Sequence, residues 1–496
     1  MCVTLNHASL GARLEGLQVG KLWKFRGIPY GTITTRFARA CPTQLEGKVD
    51  CSRYGPRCPQ LNFDVRHLLR IPQDIELPTE PENEFQCLNL DVTMPPFEPG
   101  PNPQLLPVLV WIHGGSQIAT FGSSASGLCD MTRIVSDSVD LGYPFIAVGI
   151  QYRLNMFAFG NGKGERNLTL KDQRLAIDWV VEHIGGFGGD PANITLAGES
   201  AGAVFCHAHV VAQAPVRQTI LSSGTLYLSP PLPAQYGTAL IHNVASELEK
   251  LGYTDMATAP PDMLLKAQAN LGIRSIWIQM EPAFENWENK TGNTTQILIG
   301  DVEYESIIWR NGIETLEPGY IAECFNNIGD DSSAVKRLYG ILPDRSTSCK
   351  TGALDLITDQ RFALPVEKVQ QLWLDSGKPA YRYLLDQPNP WQPSNRAHHA
   401  VDLIFLFGGF ETSNPAAETV GKAMRTKWIK FINGRAPWDA ASAFAFGPYG
   451  EVKSIDQSAV DMRRRRAHLD LVNKVGWAKF NAAVVPLITG RVSLLN

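Results

Sequence analysis

Hydrophobic and polar positions alternate along this chain in two rhythms. Val108–Ile112 and Ile146–Tyr152 are near-continuous apolar runs of strand length. So is Gln296–Gly300 after its first residue, and Ile194 and Leu196 supply the apolar end of a further run. Ala380–Leu385 carries Tyr381, Tyr383 and Leu385 at every second position and reads as another strand. Between them the period changes. Leu175, Ile177, Trp179, Val180 and Ile184 fall among charged and amide residues with helical spacing, which predicts a helix over Lys171–Ile184. Val366–Leu374 and Ala423–Phe431 are further helical patches, and Ala201–Ala214 is Ala- and Val-rich with no Gly or Pro after Gly202. Strands buried on both faces and separated by helices specify an α/β class, with a large, mostly parallel central sheet flanked by helices. Leu17–Tyr30 holds two shorter strand-like runs, while Cys41–Asp91 is loop-rich and studded with prolines at 42, 56, 59, 72, 78 and 81.

Composition narrows the partners. The chain has 496 residues, 44% hydrophobic and 19% charged, with a formal net charge of −4. That balance offers no basic surface for nucleic acid or anionic membrane. The longest apolar runs are strand-length, so integral membrane association is not expected. Met1–Lys21 lacks a basic stretch followed by an apolar one, and the expectation is an intracellular chain. Nine cysteines show no C-x-x-C or zinc spacing, and neither metal nor cofactor is implied. Sequons at Asn167, Asn193, Asn289 and Asn293 matter only in a secretory compartment. Arg463–Arg466 reads as a solvated helix face. The sequence says nothing of oligomeric state.

The candidate chemistry centres on Gly198-Glu199-Ser200-Ala201-Gly202, a G-x-S-x-G between the end of a strand and the start of a helix. A serine at so tight a turn needs neighbours without a Cβ, and it meets the positive end of the following helix. Upstream, His113-Gly114-Gly115-Ser116-Gln117 follows a buried strand; a glycine pair there frees backbone N–H groups to point into a cleft. His113 itself, at the strand end, reads as structural. A nucleophilic serine needs a base and an acid to orient that base. Asp301, Glu303 and Glu305 follow the Gln296–Gly300 strand, and each could serve as the acid. His398 and His399 are the candidate bases, and the residues alone do not separate the two neighbours.

These pieces resemble the type-B carboxylesterase/lipase family, which includes cholinesterase-like esterases and fungal lipases. The resemblance rests on Phe25-Arg26-Gly27-Ile28-Pro29-Tyr30, Cys87–Val92, Val110–Gly115, Tyr152-Arg153, Asp172-Gln173-Arg174 and Phe187–Pro191 running into Gly198–Gly202. The resemblance implies an α/β-hydrolase fold and a Ser200, Glu305, His399 triad. It implies an oxyanion hole from the N–H groups of Gly115, Ser116 and Ala201, with Glu199 and His398 in supporting positions. Ser116 stands where the family has a third glycine, and Ser306 where it also has glycine. A Cys58–Cys87 disulfide is implied by the fungal lipases. The segment Pro59–Gln86 is short for the lid those lipases carry, and only Val65–Ile71 could be helical. The expectation is therefore a single domain over 1–496 with helical cap insertions in roughly 309–375 and 410–470. Its activity is expected to be hydrolysis of a small or medium soluble ester through an acyl-enzyme, as in a tailoring step of intracellular secondary metabolism. The same triad also serves acyltransferases, lactonases and thioesterases, and the family contains non-catalytic binding proteins.

Overall fold

The computed structural model describes residues 1–97 and 104–494. Among them one thirteen-stranded sheet runs through the molecule. Its order begins Cys2–His7, Ala12–Val19, Leu22–Pro29, Asn89–Met94, Ile146–Ile150, Leu106–Ile112. It continues Gly189–Glu199, Gln218–Ser222, Ile297–Val302, Ala380–Leu385, Ala443–Phe446 and Val452–Ile455, while Gly47–Asp50 pairs with Ala12–Val19 off this path. From Ile146–Ile150 to Ala443–Phe446 every neighbour is parallel, and the flanking pairs are antiparallel.

The apolar runs form strands because both of their faces are covered. In Leu106–Ile112, Leu109 and Trp111 enter one hydrophobic cluster, and Val108, Val110 and Ile112 enter the cluster on the opposite face. The expected helix over Lys171–Ile184 is Leu168–His183, and the 380–385 strand lies where its alternation put it. Ala201–Val211 is buried nearly all round, in keeping with its lack of a polar stripe. No helix among the described residues is long and apolar enough to cross a membrane.

Three expectations need correction. First, the 410–470 segment does not simply cap the sheet: Ala443–Phe446 and Val452–Ile455 are two of its strands. The 309–375 segment is helical as expected, from Ile307–Glu314 through Leu364–Asp375. Second, Arg463–Arg466 is no solvated face. It spans the junction of helices Gln457–Arg463 and Arg466–Val475, and its guanidinium groups turn inward to carboxylates. Arg464 bonds Asp301 at 2.6 Å and Asp386 at 2.8 Å. Arg465 bonds Asp359 at 2.6 Å, and Arg466 bonds Glu367 at 2.9 Å. Third, Cys58 and Cys87 are free thiols. The Leu154 N–H donates to Cys58 Sγ at 3.3 Å. A hydrogen bond with Cys58 and complete burial push the Cys87 thiol well above its ordinary value. Of the sequons, Asn167 uses its amide internally, donating to the Gln279 carbonyl at 2.8 Å.

Candidate active site

Strand register delivers the candidate residues to one edge of the sheet. Gly198 pairs with Ile112, and Glu199 pairs with Ser222, so the elbow and the glycine loop leave the sheet side by side. Ser222 pairs with Gly300, which brings the acid-bearing loop alongside as well. This is the carboxyl end of the parallel strands, where open α/β sheets place their clefts.

The elbow is tight in the way its glycines predict. Ser200 has φ 55° and ψ −124°, a conformation that costs energy for a residue with a side chain. A Cβ on Gly202 would come within 2.1 Å of the Ile112 carbonyl oxygen, and one on Gly198 within 2.4 Å of the Gly202 carbonyl carbon. The Ser200 N–H donates to the Ser222 carbonyl at 3.0 Å, which pins the strained residue to the next strand.

The structure brings Ser200, His399 and Glu305 into one relay. Ser200 Oγ lies 2.8 Å from His399 Nε2, and His399 Nδ1 lies 2.6 Å from Glu305 Oε2. The second Glu305 oxygen accepts the Val302 N–H at 2.9 Å. Backbone bonds tie the two loops together: Tyr304 N–H to the Ala397 carbonyl at 2.8 Å, and His399 N–H to the Tyr304 carbonyl at 3.2 Å. The two other acid candidates go elsewhere. Asp301 meets Arg464, and Glu303 meets Arg396 at 2.9 Å at the partly exposed rim. Ser306, the departure from glycine, has φ −73°, so no glycine is required there; its N–H donates to Thr358 Oγ1 at 3.1 Å.

The neighbouring histidines separate cleanly. Asn389 Nδ2 donates to His398 Nε2 at 2.9 Å, and His398 Nδ1 donates to the His399 carbonyl at 2.9 Å. Burial lowers the His398 pKa to about 4, so it stays neutral and braces the loop. His113 stacks on Tyr152 at 4.2 Å between ring centroids and is likewise held neutral by burial, with a pKa of about 4.

His399 is different. Burial pulls its pKa down, but Glu199, Glu305 and Asp402 more than offset that and raise it to about 9. Glu199 Oε1 sits 3.3 Å from His399 Nε2. Burial, with the charges of Asp402 and Glu305, pushes the Glu199 carboxyl well above the usual range, and neither of its oxygens has a hydrogen-bond partner. Asp402, three residues after His399, is fully buried and raised to about 7, mainly by burial and then by Glu305. The sequence signal for it is a charged residue inside the apolar run Val401–Phe407. Phe362, on the wide turn Asp359–Ala363, packs its ring 5.4 Å from that of His399.

Gly115 and Ser116 form the loop facing the serine. Gly115 has φ 111°, and a Cβ there would meet the Ala119 carbonyl oxygen at 2.0 Å. Ser116 holds φ 56°, a left-handed value that suits the glycine it replaces, and its carbonyl accepts the Ile276 N–H at 3.1 Å. The N–H groups of Gly115, Ser116 and Ala201 have no protein acceptor among the described residues. Above Ser200 lies a narrow cavity of about 10 Å³, bounded by Leu68, Phe121, Ile308, Ala400 and Leu494 besides the polar groups. A larger open groove, about 750 Å³, runs past Pro72, Trp391 and Phe410 and contains none of Ser200, His399 and Glu305. Among the described residues no cluster of His, Cys, Asp and Glu could hold a metal ion.

The family model for carboxylesterases matches residues 5–469. The chain is 29% identical over 460 residues to Lipase 1 of Yarrowia lipolytica (strain CLIB 122 / E 150), covering 88% of each chain. It is 29% identical over 471 residues to Lipase 3 of the same organism, covering 89% of this chain and 90% of that one. Its fold is similar to the solved structure of the Geobacillus stearothermophilus carboxylesterase Est55, with a TM-score of 0.74 and 23% identity, covering 94% of this chain and 99% of that one.

Proposed function

The chain belongs to the carboxylesterase family, and from that premise we propose that it hydrolyses a small ester through an acyl-enzyme formed on Ser200. It is a carboxylic ester hydrolase with an α/β-hydrolase fold. The observation that carries the proposal is the relay from Ser200 Oγ to His399 Nε2 at 2.8 Å and from His399 Nδ1 to Glu305 at 2.6 Å.

Ser200 Oγ attacks the ester carbonyl while its proton passes to His399 Nε2. The negative charge on the former carbonyl oxygen meets the free N–H groups of Gly115, Ser116 and Ala201. Glu305 keeps the proton on Nδ1, so that Nε2 presents a lone pair, and stabilises the imidazolium once formed. Collapse of the tetrahedral species breaks the ester C–O bond, and His399 returns its proton to the departing alkoxide. Water then enters, His399 removes a proton from it as its oxygen adds to the acyl carbon, and the bond to Ser200 Oγ breaks as Oγ takes the proton back, releasing the acid. The base must be neutral to act. With His399 raised to about 9, kcat/KM is expected to climb as pH rises toward that value.

Two features favour a small soluble ester over an oil–water interface. The only helix between Pro59 and Gln86 is Val65–Leu69, too short for an amphipathic lid, and the cavity over Ser200 is narrow. We read the chain as one catalytic domain, with the helices of 309–375 as a pocket wall: Ile308, at their start, faces the cavity. Nine cysteines carried as thiols fit a reducing compartment and a tailoring role in small-molecule metabolism.

The test is p-nitrophenyl acetate hydrolysis by wild type and Ser200→Ala, with fluorophosphonate labelling. The substitution is expected to cost roughly 10⁴-fold or more in kcat and to abolish labelling. Undiminished turnover by a folded Ser200→Ala enzyme would overturn the assignment.

A further inference from the structure

The cavity over Ser200 has a wall from a distant part of the chain. After helix Trp477–Ile488 the segment Arg491–Leu494 crosses helix Ile307–Glu314, the helix that follows Glu305. The Ser493 N–H donates to the Ile308 carbonyl at 2.7 Å. Contact is close at Gly312, where a Cβ would come within 2.5 Å of Arg491 Cβ, so a side chain there would lift the segment off the helix. Arg491 bonds the Pro486 carbonyl at 2.7 Å, which fixes the turn out of the preceding helix. Val492 and Leu494 pack against the core cluster. The outcome of this path is that Leu494 and Ile308 together face the nucleophile's cavity.

We propose that Leu494 is a specificity-determining residue, held over Ser200 by its neighbour's bond to Ile308, and that it sets the length of hydrocarbon the ester may carry. The inference rests on Ser200 being the nucleophile. Its logic is steric and apolar. Leu68, Phe121, Ile308 and Leu494 come from four separate segments and present hydrocarbon to the cavity, so the group received there is an uncharged alkyl or short acyl chain. Leu68, Phe121 and Ile308 belong to elements locked into the core. Leu494 is only half-buried and lies on a strap outside any helix or strand. A change of side chain at 494 therefore alters the depth of the cavity without disturbing the triad's supports. Each methylene admitted or refused in such a pocket changes discrimination by about 10- to 200-fold.

The experiment measures kcat/KM for Leu494→Ala, Leu494→Trp and wild type on p-nitrophenyl acetate, butyrate and octanoate, and on an acetate series with ethyl to octyl alcohols. Fluorophosphonate titration of Ser200 in each preparation counts competent sites. Leu494→Ala is expected to raise the octanoate-to-acetate ratio about tenfold or more, and Leu494→Trp to lower it. A shift in the acyl series assigns the wall to the acyl side, and one in the alcohol series assigns it to the leaving-group side; both support the proposal. Ratios unchanged in both series and both variants, with full titration of Ser200, would overturn it while leaving the hydrolase reading intact. Failure of wild type to titrate or turn over would instead strike the hydrolase reading itself.

Discussion

Asp301 and Glu305 leave the same strand, four residues apart, and both are fully buried. Asp301 receives the Arg464 guanidinium on Oδ2 at 2.6 Å, and the same cation reaches the Asp301 carbonyl at 3.2 Å. Glu305 receives an imidazole N–H at 2.6 Å and a backbone N–H at 2.9 Å. Burial alone therefore does not mark a catalytic acid. What distinguishes the two is the partner: a permanent cation makes a fixed joint, whereas a titratable ring makes a group that can accept and return a proton. Glu303 between them pairs with Arg396 at the rim.

The comparison breaks most sharply at Glu305. In Glu305→Gln the side-chain oxygen can still accept from Val302, which leaves the amide N–H₂ facing His399 Nδ1. That favours the tautomer with the proton on Nε2, and the base is lost. We expect kcat/KM to fall by roughly 10³- to 10⁴-fold with an unchanged unfolding midpoint, read by steady-state kinetics and thermal melts. Asp301→Asn should do the reverse. Arg464 keeps Asp386 but loses the Asp301 charge, and chemical denaturation is expected to show a stability loss of about 1.5–3 kcal/mol, while turnover per titrated serine stays close to wild type. If Asp301→Asn instead abolished turnover in folded protein, the division between joint and relay would fail. The smallest effect sharpens the comparison at a third buried acid. Glu199 has no cation and no N–H donor; its neighbour is the imidazole itself. Among the groups that raise the His399 pKa, its charge is the largest. Glu199→Gln should therefore move the acid limb of the kcat/KM–pH profile to lower pH, because the base is then neutral at lower pH. A limb that stays in place or moves upward would show that Glu199 carries no charge when the base works.

Much of this site was legible because it is local. The elbow needs a strand, two glycines and a helix within a few residues, and Gly198 and Gly202 are both forced by contacts under 2.5 Å. The strands were legible where both faces are buried and the run is unbroken. The choice of Glu305 over Asp301 was not legible from the residues, since it depends on Arg464, which is distant in sequence; resemblance supplied it. For the same reason Arg463–Arg466 read as a solvated face: its partners Asp301, Asp359, Glu367 and Asp386 come from strands and helices that only the fold brings near. Ala443–Phe446 was missed as a strand because four residues carry too little period to stand out. The Cys58–Cys87 bridge was implied by the resemblance to fungal lipases, and here both cysteines are buried and free.

The Arg464–Asp301 joint also bears on the order in which the protein can be made. The proposed nucleophile, acid and base, Ser200, Glu305 and His399, all precede Arg464 in the chain, so a ribosome has produced them before the cation that bonds Asp301. Until that arginine emerges, Asp301 has the charge of Arg382 on the neighbouring strand but lacks its hydrogen-bonded cation. Docking of the helices that flank Arg464 therefore completes the charge balance behind the strand that leads to Glu305.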